Sequence, residues 1–157
     1  MKLNIGSGKQ RFPGFLNVDK SPVVNPDFLC NVDRGIDFDD DSVDEIKAKM
    51  ILEHVDDIIF VMNELWRIMK HNSLLHIIVP HECSSMAWAD PTHKRIFNEE
   101  SFGYFCSKWH GGLDGKSNHY ERHYEYGIKC DFHMVKYTET TDRRHGQIKT
   151  TLKAIKK

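Results

Sequence analysis

Three polar or glycine-containing segments, each at the end of a predicted strand, could together hold a nucleoside. They are Gly6-Ser7-Gly8, Asp19 and Asn31. Two glycines let the backbone turn sharply and approach a ligand closely. The Asp19 carboxylate could accept both hydroxyls of a ribose, and the Asn31 amide could bond an adenine edge. Ligands of open α/β sheets bind at the carboxyl ends of the strands, so the three segments predict one nucleoside site.

The residues after the glycines decide between two kinds of nucleoside ligand. Pyrophosphate binding needs the N-terminus of a helix directly after the glycine loop. Here residues 9–14 lead into the next strand without room for a helix, and Arg11 stands where the third glycine of a dinucleotide motif would be. This spacing disfavours a dehydrogenase. It favours a nucleoside without phosphates, and S-adenosylmethionine (SAM) is such a ligand.

The elements that must position these segments follow from short apolar runs and one helical period. Apolar residues at spacings of three and four between Val55 and Lys70 predict a helix, with acidic residues at its start. The buried run Leu74–Val79 follows, and a strand–helix–strand order implies a right-handed parallel crossover. The earlier predicted strands are Lys2–Ile5, Phe15–Asp19, Phe28–Val32 and Glu45–Met50.

The second half of the chain has a different character. Residues 81–127 are rich in aromatics, histidines and glycines, and such a long irregular stretch is typically functional or mobile. Within it, Asn98 could cap a short helix from about Glu99 to Lys108. Alternating apolar residues at 128–134 and 148–154, around a polar turn near Asp142–Gly146, predict an antiparallel hairpin that closes the sheet.

The order of the motifs resembles that of class I SAM-dependent methyltransferases, particularly a short bacterial and phage group. The resemblance runs from about residue 2 to residue 105. Departures from that group are Asn31 in place of a frequent Asp, Asp37 at a usual proline position, and His71-Asn72-Ser73 instead of a Pro-Gly-Gly turn. The matching segments are Leu3–Gly8, Pro13–Asp19, Phe38–Ile46, Leu52–Val55, Glu64–Lys70, Val79–His81 and Asp90–Phe97.

The resemblance implies an α/β fold with a Rossmann-like, mostly parallel sheet and SAM as cofactor, with S-adenosylhomocysteine as product. It implies that Gly6, Ser7 and Gly8 line the methionine part of SAM and that Asp19 and Lys20 flank the ribose. It also implies that Asn31 and Val32 meet the adenine, where the Asn31 amide oxygen could accept a bond from the adenine amine. Met50 and His54 would border the ligand after the fourth strand.

No residue is assigned as the catalytic base. His54, His81 and His93 are candidates because an imidazole can take a proton from an acceptor atom, and each also has a structural interpretation. A sulfonium methyl is already electrophilic, so positioning the acceptor supplies much of the catalysis. His119 and His123 are four residues apart and could share a helix face as metal ligands, but the sequence places no third ligand. No metal is therefore predicted.

One face of the predicted sheet lacks helices. The link between the first two strands is short, and the next, residues 20–26, contains two prolines. Ile46 and Ala48 alternate with Lys47 and Lys49, unlike a parallel strand that is covered on both faces. We expect this face to be wetted, covered by the C-terminal half, or packed against a second subunit, which would make the protein a homo-oligomer.

Composition bounds the function further. The 157 residues have a net charge of −1 and predict a single domain, residues 1–157. Residues 1–80 carry 9 Lys/Arg and 13 Asp/Glu and form the cofactor half, whereas residues 81–157 carry 13 and 10 and form the acceptor side and the hairpin. This charge disfavours a nucleic-acid partner. No apolar run approaches the ~20 residues of a membrane span, and no signal peptide is present, which predicts a cytoplasmic protein. The four cysteines form no C-x-x-C pair, which favours reduced structural thiols over a zinc site or a disulfide framework.

These observations predict a SAM-dependent methyltransferase that acts on a small molecule, a sugar or a surface group. The alternative is a non-catalytic SAM-binding module or a degenerate methyltransferase-like domain, which the missing helices and the altered turn after Lys70 would suit.

Overall fold

A computed structural model describes residues 1–109 and 119–156 and contains an eight-stranded sheet. The strand order is β3-β2-β1-β4-β5-β8-β7-β6. The strands β1 to β5 pair in parallel, β8 pairs antiparallel with both β5 and β7, and β6 pairs in parallel with β7. The strands are Lys2–Ile5 (β1), Leu16–Asp19 (β2), Phe28–Leu29 (β3), Val43–Lys49 (β4), Met69–Pro80 (β5), Cys106–Lys108 (β6), Phe132–Thr140 (β7) and Gln147–Ala154 (β8).

The mostly parallel α/β sheet and its closing antiparallel hairpin are confirmed. The third strand is shorter than predicted, because the chain turns at Asn31 into the 3₁₀ helix Val32–Arg34. The Asn31 side chain caps that turn by accepting a hydrogen bond from the Asp33 backbone N–H at 3.2 Å. This cap brings residues 31–33 to the carboxyl edge of the sheet beside β2.

The predicted long helix is confirmed as α1, Ile58–Ile68. The Asp57 carboxylate caps it by accepting hydrogen bonds from the N–H groups of Ile59 and Phe60 at 2.9 and 3.0 Å. The strand β5 begins at once after the helix, at Met69. The side chains of α1 that enter the core are Val61, Met62, Leu65 and Ile68, which pack in one cluster with the apolar face of the sheet.

The predicted helix from Glu99 to Lys108 is wrong. The segment instead contains the 3₁₀ helix Gly103–Phe105 and strand β6. The Asn98 side chain accepts a hydrogen bond from the Glu100 N–H at 3.1 Å, so it stabilises a local turn rather than a helix start. A short helix that the sequence analysis missed, α2 (Ser85–Ala89), begins after Ser84, whose hydroxyl accepts from the Met86 N–H. Residues 110–118 of the irregular stretch lie outside the described residues.

The links from β1 to β2 and from β2 to β3 contain no α-helix, as predicted, and hold only the 3₁₀ helix Pro22–Val24. The face of the sheet opposite α1 therefore lacks α-helical cover from these links. Register places four residues in one row across this face and three in the next. The first row is Lys2, Glu45, Leu74 and Lys153, and the second is Asn4, Lys47 and His76. The loop before β2 covers part of the face: the Lys47 ammonium lies 4.0 and 4.4 Å from the ring centroids of Phe12 and Phe15. None of the described helices is long and apolar enough to cross a membrane.

Candidate cofactor and acceptor site

A cavity of about 530 Å³ opens at the carboxyl ends of β1, β2 and β4. Its volume lies within the usual range for small-ligand sites, about 300–1,000 Å³. Ser7 does not line it; that residue is buried, and its N–H donates to the Val18 carbonyl at 3.2 Å. The other seven residues predicted to contact the cofactor line this one cavity, together with His54: Gly6, Gly8, Asp19, Lys20, Asn31, Val32 and Met50.

The glycine loop depends on its glycines for two different reasons. Gly6 has a φ of 61°, and a Cβ at this position would lie 2.6 Å from the Cβ of Ile51. Gly8 has a φ of 49°, but a Cβ there would meet no protein atom within 4 Å. Gly6 is therefore needed for close packing against Ile51, whereas Gly8 leaves open space on the cavity side of the loop.

Asp19 has a structural task as well as a place in the cavity. Its Oδ2 accepts a hydrogen bond from the Gly8 N–H at 2.8 Å, and its Oδ1 accepts one from the Ser21 N–H at 2.9 Å. Each carboxylate oxygen has a second lone pair, so both can still accept a hydroxyl of a bound ribose. One side chain thus holds the glycine loop beside the position where a ribose is expected.

Asn31 differs from its expected use. Its amide oxygen, predicted to accept from an adenine amine, already accepts the Asp33 N–H. Since an amide oxygen has two lone pairs and the NH₂ has two donors, the side chain can still meet a base edge, most simply by donating. The Asp33 carboxylate, itself at the cavity wall, accepts the Asp56 N–H at 2.8 Å and so ties this edge to the loop after β4.

The charges at the cavity disfavour a phosphate-rich ligand. Three carboxylates line it, from Asp19, Asp33 and Asp56, against the ammonium groups of Lys20 and Lys94. Lys94 is engaged in an ion pair with Asp56. No helix follows the glycine loop, because residues 6–15 form only turns and irregular chain. The glycine loop therefore lacks the following helix N-terminus that binds a pyrophosphate in dinucleotide sites.

A second cavity of about 300 Å³ adjoins the first, since Met50 and His54 line both. Met50 has a φ of 52°, a conformation that is strained for a residue with a side chain and that occurs often at functional sites. Other residues of the second cavity are Glu53, His93 and His145. An acceptor bound there would approach a ligand in the larger cavity across the wall that Met50 and His54 form.

The three candidate histidines do not meet at one place. The rings of His54 and His93 lie against each other, with centroids 4.8 Å apart, at the second cavity. Burial lowers the pKa of His54. His81 is buried and does not line either cavity; its Nδ1 accepts from the Cys83 N–H at 3.1 Å. Its surroundings are those of a histidine that holds the turn after β5.

The sequence analysis missed Glu53 as a site residue. It is 1% exposed, its Oε2 has no hydrogen-bond partner, and burial raises its pKa to about 7. A signal was present, because an ionisable residue between Leu52 and Val55, both apolar, is unusual in a buried segment. The predicted sharing of a helix face by positions 119 and 123 does not hold, since they lie in the 3₁₀ helix His119–Tyr126, which repeats every three residues.

No protein-family model matches the chain, and no curated protein sequence matches it. Solved structures are similar over nearly the whole chain. A chain from the complex of the Haloferax volcanii Trm112 methyltransferase activator with a methyltransferase has a TM-score of 0.69 at 15% identity, covering 99% of this chain and 82% of that one.

Two further structures share this similarity. A SAM-dependent methyltransferase from Archaeoglobus fulgidus has a TM-score of 0.62 at 16% identity, with 97% of this chain and 85% of that one covered. A Burkholderia thailandensis 1,6-didemethyltoxoflavin-N1-methyltransferase with bound S-adenosylhomocysteine has a TM-score of 0.62 at 13% identity, with 99% and 71% covered. The chain therefore has the fold of the class I SAM-dependent methyltransferases.

Proposed function

We propose that this protein binds SAM in the larger cavity and transfers its methyl group to a small acceptor in the adjoining cavity. One observation carries the proposal: seven residues from four separate loops, predicted to contact SAM, line a single cavity. That cavity shares the wall of Met50 and His54 with a second, smaller one. A cofactor site alone would not need the second cavity.

The residues fit SAM part by part. Asp19 would accept the ribose hydroxyls, Asn31 and Val32 would contact the adenine, and the open space beside Gly8 would take the methionine part. The carboxylates around the cavity would offset the positive sulfonium and amino groups, whereas they would repel a pyrophosphate. SAM would supply an electrophilic methyl group, and S-adenosylhomocysteine would be left after transfer.

The chain itself would supply positioning and exclude water. The second cavity of about 300 Å³ is small, so it suits a small molecule, a sugar ring or one group at the end of a larger molecule. Holding the acceptor oxygen or nitrogen in line with the carbon–sulfur bond can account for much of the rate. The acceptor proton would leave to His54, His93 or solvent as the new bond forms.

The second candidate is a module that binds SAM without catalysing transfer. The scarcity of helices favours it, because no helix separates β1 from β2 and a single three-residue 3₁₀ helix separates β2 from β3.

Calorimetry with SAM, S-adenosylhomocysteine and NAD tests both candidates. We expect the first two ligands to bind and NAD not to bind, and absence of binding by both sulfur ligands would overturn both candidates. Binding without methyl loss across a panel of hydroxyl and amine acceptors would select the second.

Variants of Asp19 test the ribose assignment. Asp19→Ala removes the carboxylate that holds the Gly8 N–H and faces the cavity, and we expect at least tenfold weaker SAM binding. Asp19→Asn keeps one oxygen acceptor and should lose less. Asp39→Ala, which changes an exposed carboxylate outside the cavity, is the matched control and should bind SAM normally. Unchanged affinity in folded Asp19→Ala would refute the assignment.

A further inference from the structure

Glu53, His54 and His93 form a cluster that lines the smaller cavity, and His54 also lines the larger one. Each offers one potential ligand atom, and these three atoms lie within 4.8 Å of one another. Glu53 and His54 come from the segment after β4, and His93 comes from the loop after α2. Two imidazoles and one carboxylate are a donor set that divalent transition-metal ions use in proteins, with further positions left open for other ligands.

The Glu53 carboxylate has an unused oxygen in a buried place. The residue is 1% exposed, and its Oε2 has no hydrogen-bond partner. A buried carboxylate oxygen without a partner is costly, because it has lost its water without a replacement. No lysine or arginine forms an ion pair with Glu53 among the described residues. A bound cation would satisfy this oxygen.

The hydrogen bonds of the two histidines leave the same nitrogen free on each ring. The His93 Nδ1 lies 2.8 Å from the Ala87 carbonyl oxygen, which can only accept, so Nδ1 carries the proton. In the neutral ring Nε2, which lies 3.8 Å from Asp90 Oδ2, therefore keeps its lone pair. A metal-binding histidine commonly donates its other N–H to a backbone carbonyl in this way.

The same reasoning applies to His54 through one more residue. The Thr92 hydroxyl donates to Asp90 Oδ1 at 2.6 Å, so it has lone pairs to accept from His54 Nδ1–H at 3.0 Å. The Nε2 of His54 then has a free lone pair as well. Asp90 and Thr92 thus hold His54 in the form that binds metals, as carboxylates do for ligating histidines elsewhere.

A second cluster with the same spacing shows what these bonds decide. His81, Glu99 and Glu139 also offer ligand atoms within 4.8 Å of one another. However, the His81 Nδ1 accepts from the Cys83 N–H, so the proton is on Nε2, which lies 3.5 Å from Glu139 Oε2. This histidine has no free lone pair for a metal, so its cluster lacks the ligand set of a metal site.

We propose that Glu53, His54 and His93 bind one divalent transition-metal ion at the edge of the smaller cavity. Its open positions would hold an acceptor oxygen, which makes a hydroxyl-bearing acceptor the favoured substrate class; this second statement rests on the proposed methyl transfer. The metal would lower the pKa of that hydroxyl. The new oxygen–carbon bond would form as the carbon–sulfur bond breaks with its electron pair going to sulfur. Because the Nε2 lone pairs of His54 and His93 would bind the metal, the hydroxyl proton would go to solvent rather than to either histidine.

Metal binding can be measured directly on the purified full chain. After treatment with EDTA and removal of the chelator, we expect titration with ZnCl₂ to show one bound equivalent by calorimetry, and CoCl₂ to give a visible absorption spectrum typical of a site with nitrogen ligands. MgCl₂ should bind at least tenfold more weakly, because Mg²⁺ prefers oxygen ligands. The titrations contain no SAM, so their failure is distinct from failure of SAM binding.

Variants assign the site. His54→Ala and His93→Ala should each weaken Zn²⁺ binding at least tenfold, whereas His133→Ala, which removes a half-buried histidine of the uncovered sheet face, should not. Glu53→Gln should also weaken binding, and circular dichroism shows whether it folds; if it does not, the two histidine variants decide. The absence of a bound equivalent, or equal Zn²⁺ binding by a folded His54→Ala/His93→Ala double variant, would overturn the proposal.

Discussion

Gly8 and Gly14 both have a positive φ, which glycine adopts without strain, but they have different surroundings. Their φ values are 49° and 78°, and a Cβ at either position would meet no protein atom within 4 Å. Only Gly8 lines the larger cavity. A methyl group added at Gly14 therefore only destabilises the fold, through its unfavourable backbone conformation. One added at Gly8 does the same and also occupies the space that the proposed methionine part of SAM would take.

This pair separates folding from binding in one comparison. We expect Gly8→Ala and Gly14→Ala each to lose about 1–2 kcal/mol of stability, since a left-handed conformation disfavours a Cβ by about that much. Only Gly8→Ala should lose SAM affinity. Urea denaturation gives the first quantity and calorimetry the second. Equal SAM affinity in the two variants would place the methionine part away from Gly8.

At the scale of elements, the irregular segment before β4 is held in place by Arg67, near the end of α1. Its guanidinium donates to the carbonyl oxygens of Ile36 and Phe38 at 2.8 and 2.9 Å and to the carboxylates of Glu64 and Asp40. Glu64 Oε2 in turn accepts the Ile36 N–H at 3.1 Å. This network fastens residues 36–40 to the helix without a helix or strand of their own.

Removing the guanidinium should release that segment. We expect Arg67→Met to lose about 1–3 kcal/mol at pH 7, because several hydrogen bonds to charged groups disappear while solvent screening limits the loss. Arg34→Met, at an exposed arginine, is the control. Chemical denaturation measures both. A loss no larger than that of the control would show that the segment is held by its apolar contacts instead.

The same variant has a pH signature. The Arg67 hydrogen bond holds the pKa of Glu64 below its ordinary value of 4.5. A carboxylate with a lowered pKa stabilises the fold above the unfolded value, and this contribution is lost as the pH falls through the folded value. The difference in free energy of unfolding between wild type and Arg67→Met should therefore be largest near neutral pH and shrink below pH 4.5.

For the whole molecule, the uncovered sheet face has a strongly one-sided charge. Strand register places five lysines on it, and the same rows hold one carboxylate and two apolar side chains, Leu74 and Ile78. The lysines are Lys2, Lys47, Lys49, Lys149 and Lys153, and the carboxylate is that of Glu45. Lys2 and Glu45 form an ion pair at 2.7 Å. If two copies packed this face against itself, lysines would meet lysines, which is costly on a desolvated surface.

We therefore expect a monomer rather than the homo-oligomer through this face that the sequence left open. Light scattering after gel filtration measures the mass directly. It should be done at a salt concentration of about 50 mM and again at high salt, because salt screens repulsion between exposed charges. A dimer at low salt would contradict this expectation. If Lys149→Asp then changed the salt dependence of that dimer, the uncovered face would be its interface.

Local patterns predicted those elements whose residues alternate or repeat strongly. Ile58 to Met69 has a clear helical period, and β4 alternates apolar and charged residues, so both were found nearly at their true bounds. The segment Glu99–Lys108 has no such regularity. There the Asn98 side chain favours a turn, and pairing with β7 draws Cys106–Lys108 into the sheet. Pairing with a strand that is distant in the chain cannot be predicted from the local sequence.

The sequence by itself determined the glycine loop, the polar residues at the strand ends and the succession of strands along the chain, because backbone conformation and burial are encoded in neighbouring residues. These features predicted one site at the strand ends, and the resemblance to class I SAM-dependent methyltransferases implied most of the residues that line the larger cavity. Only the tertiary structure brought His93 against Glu53 and His54, and only its hydrogen bonds distinguished this cluster from that of His81. Distances between side chains on separate loops depend on how the whole core packs, and that is decided by long-range contacts.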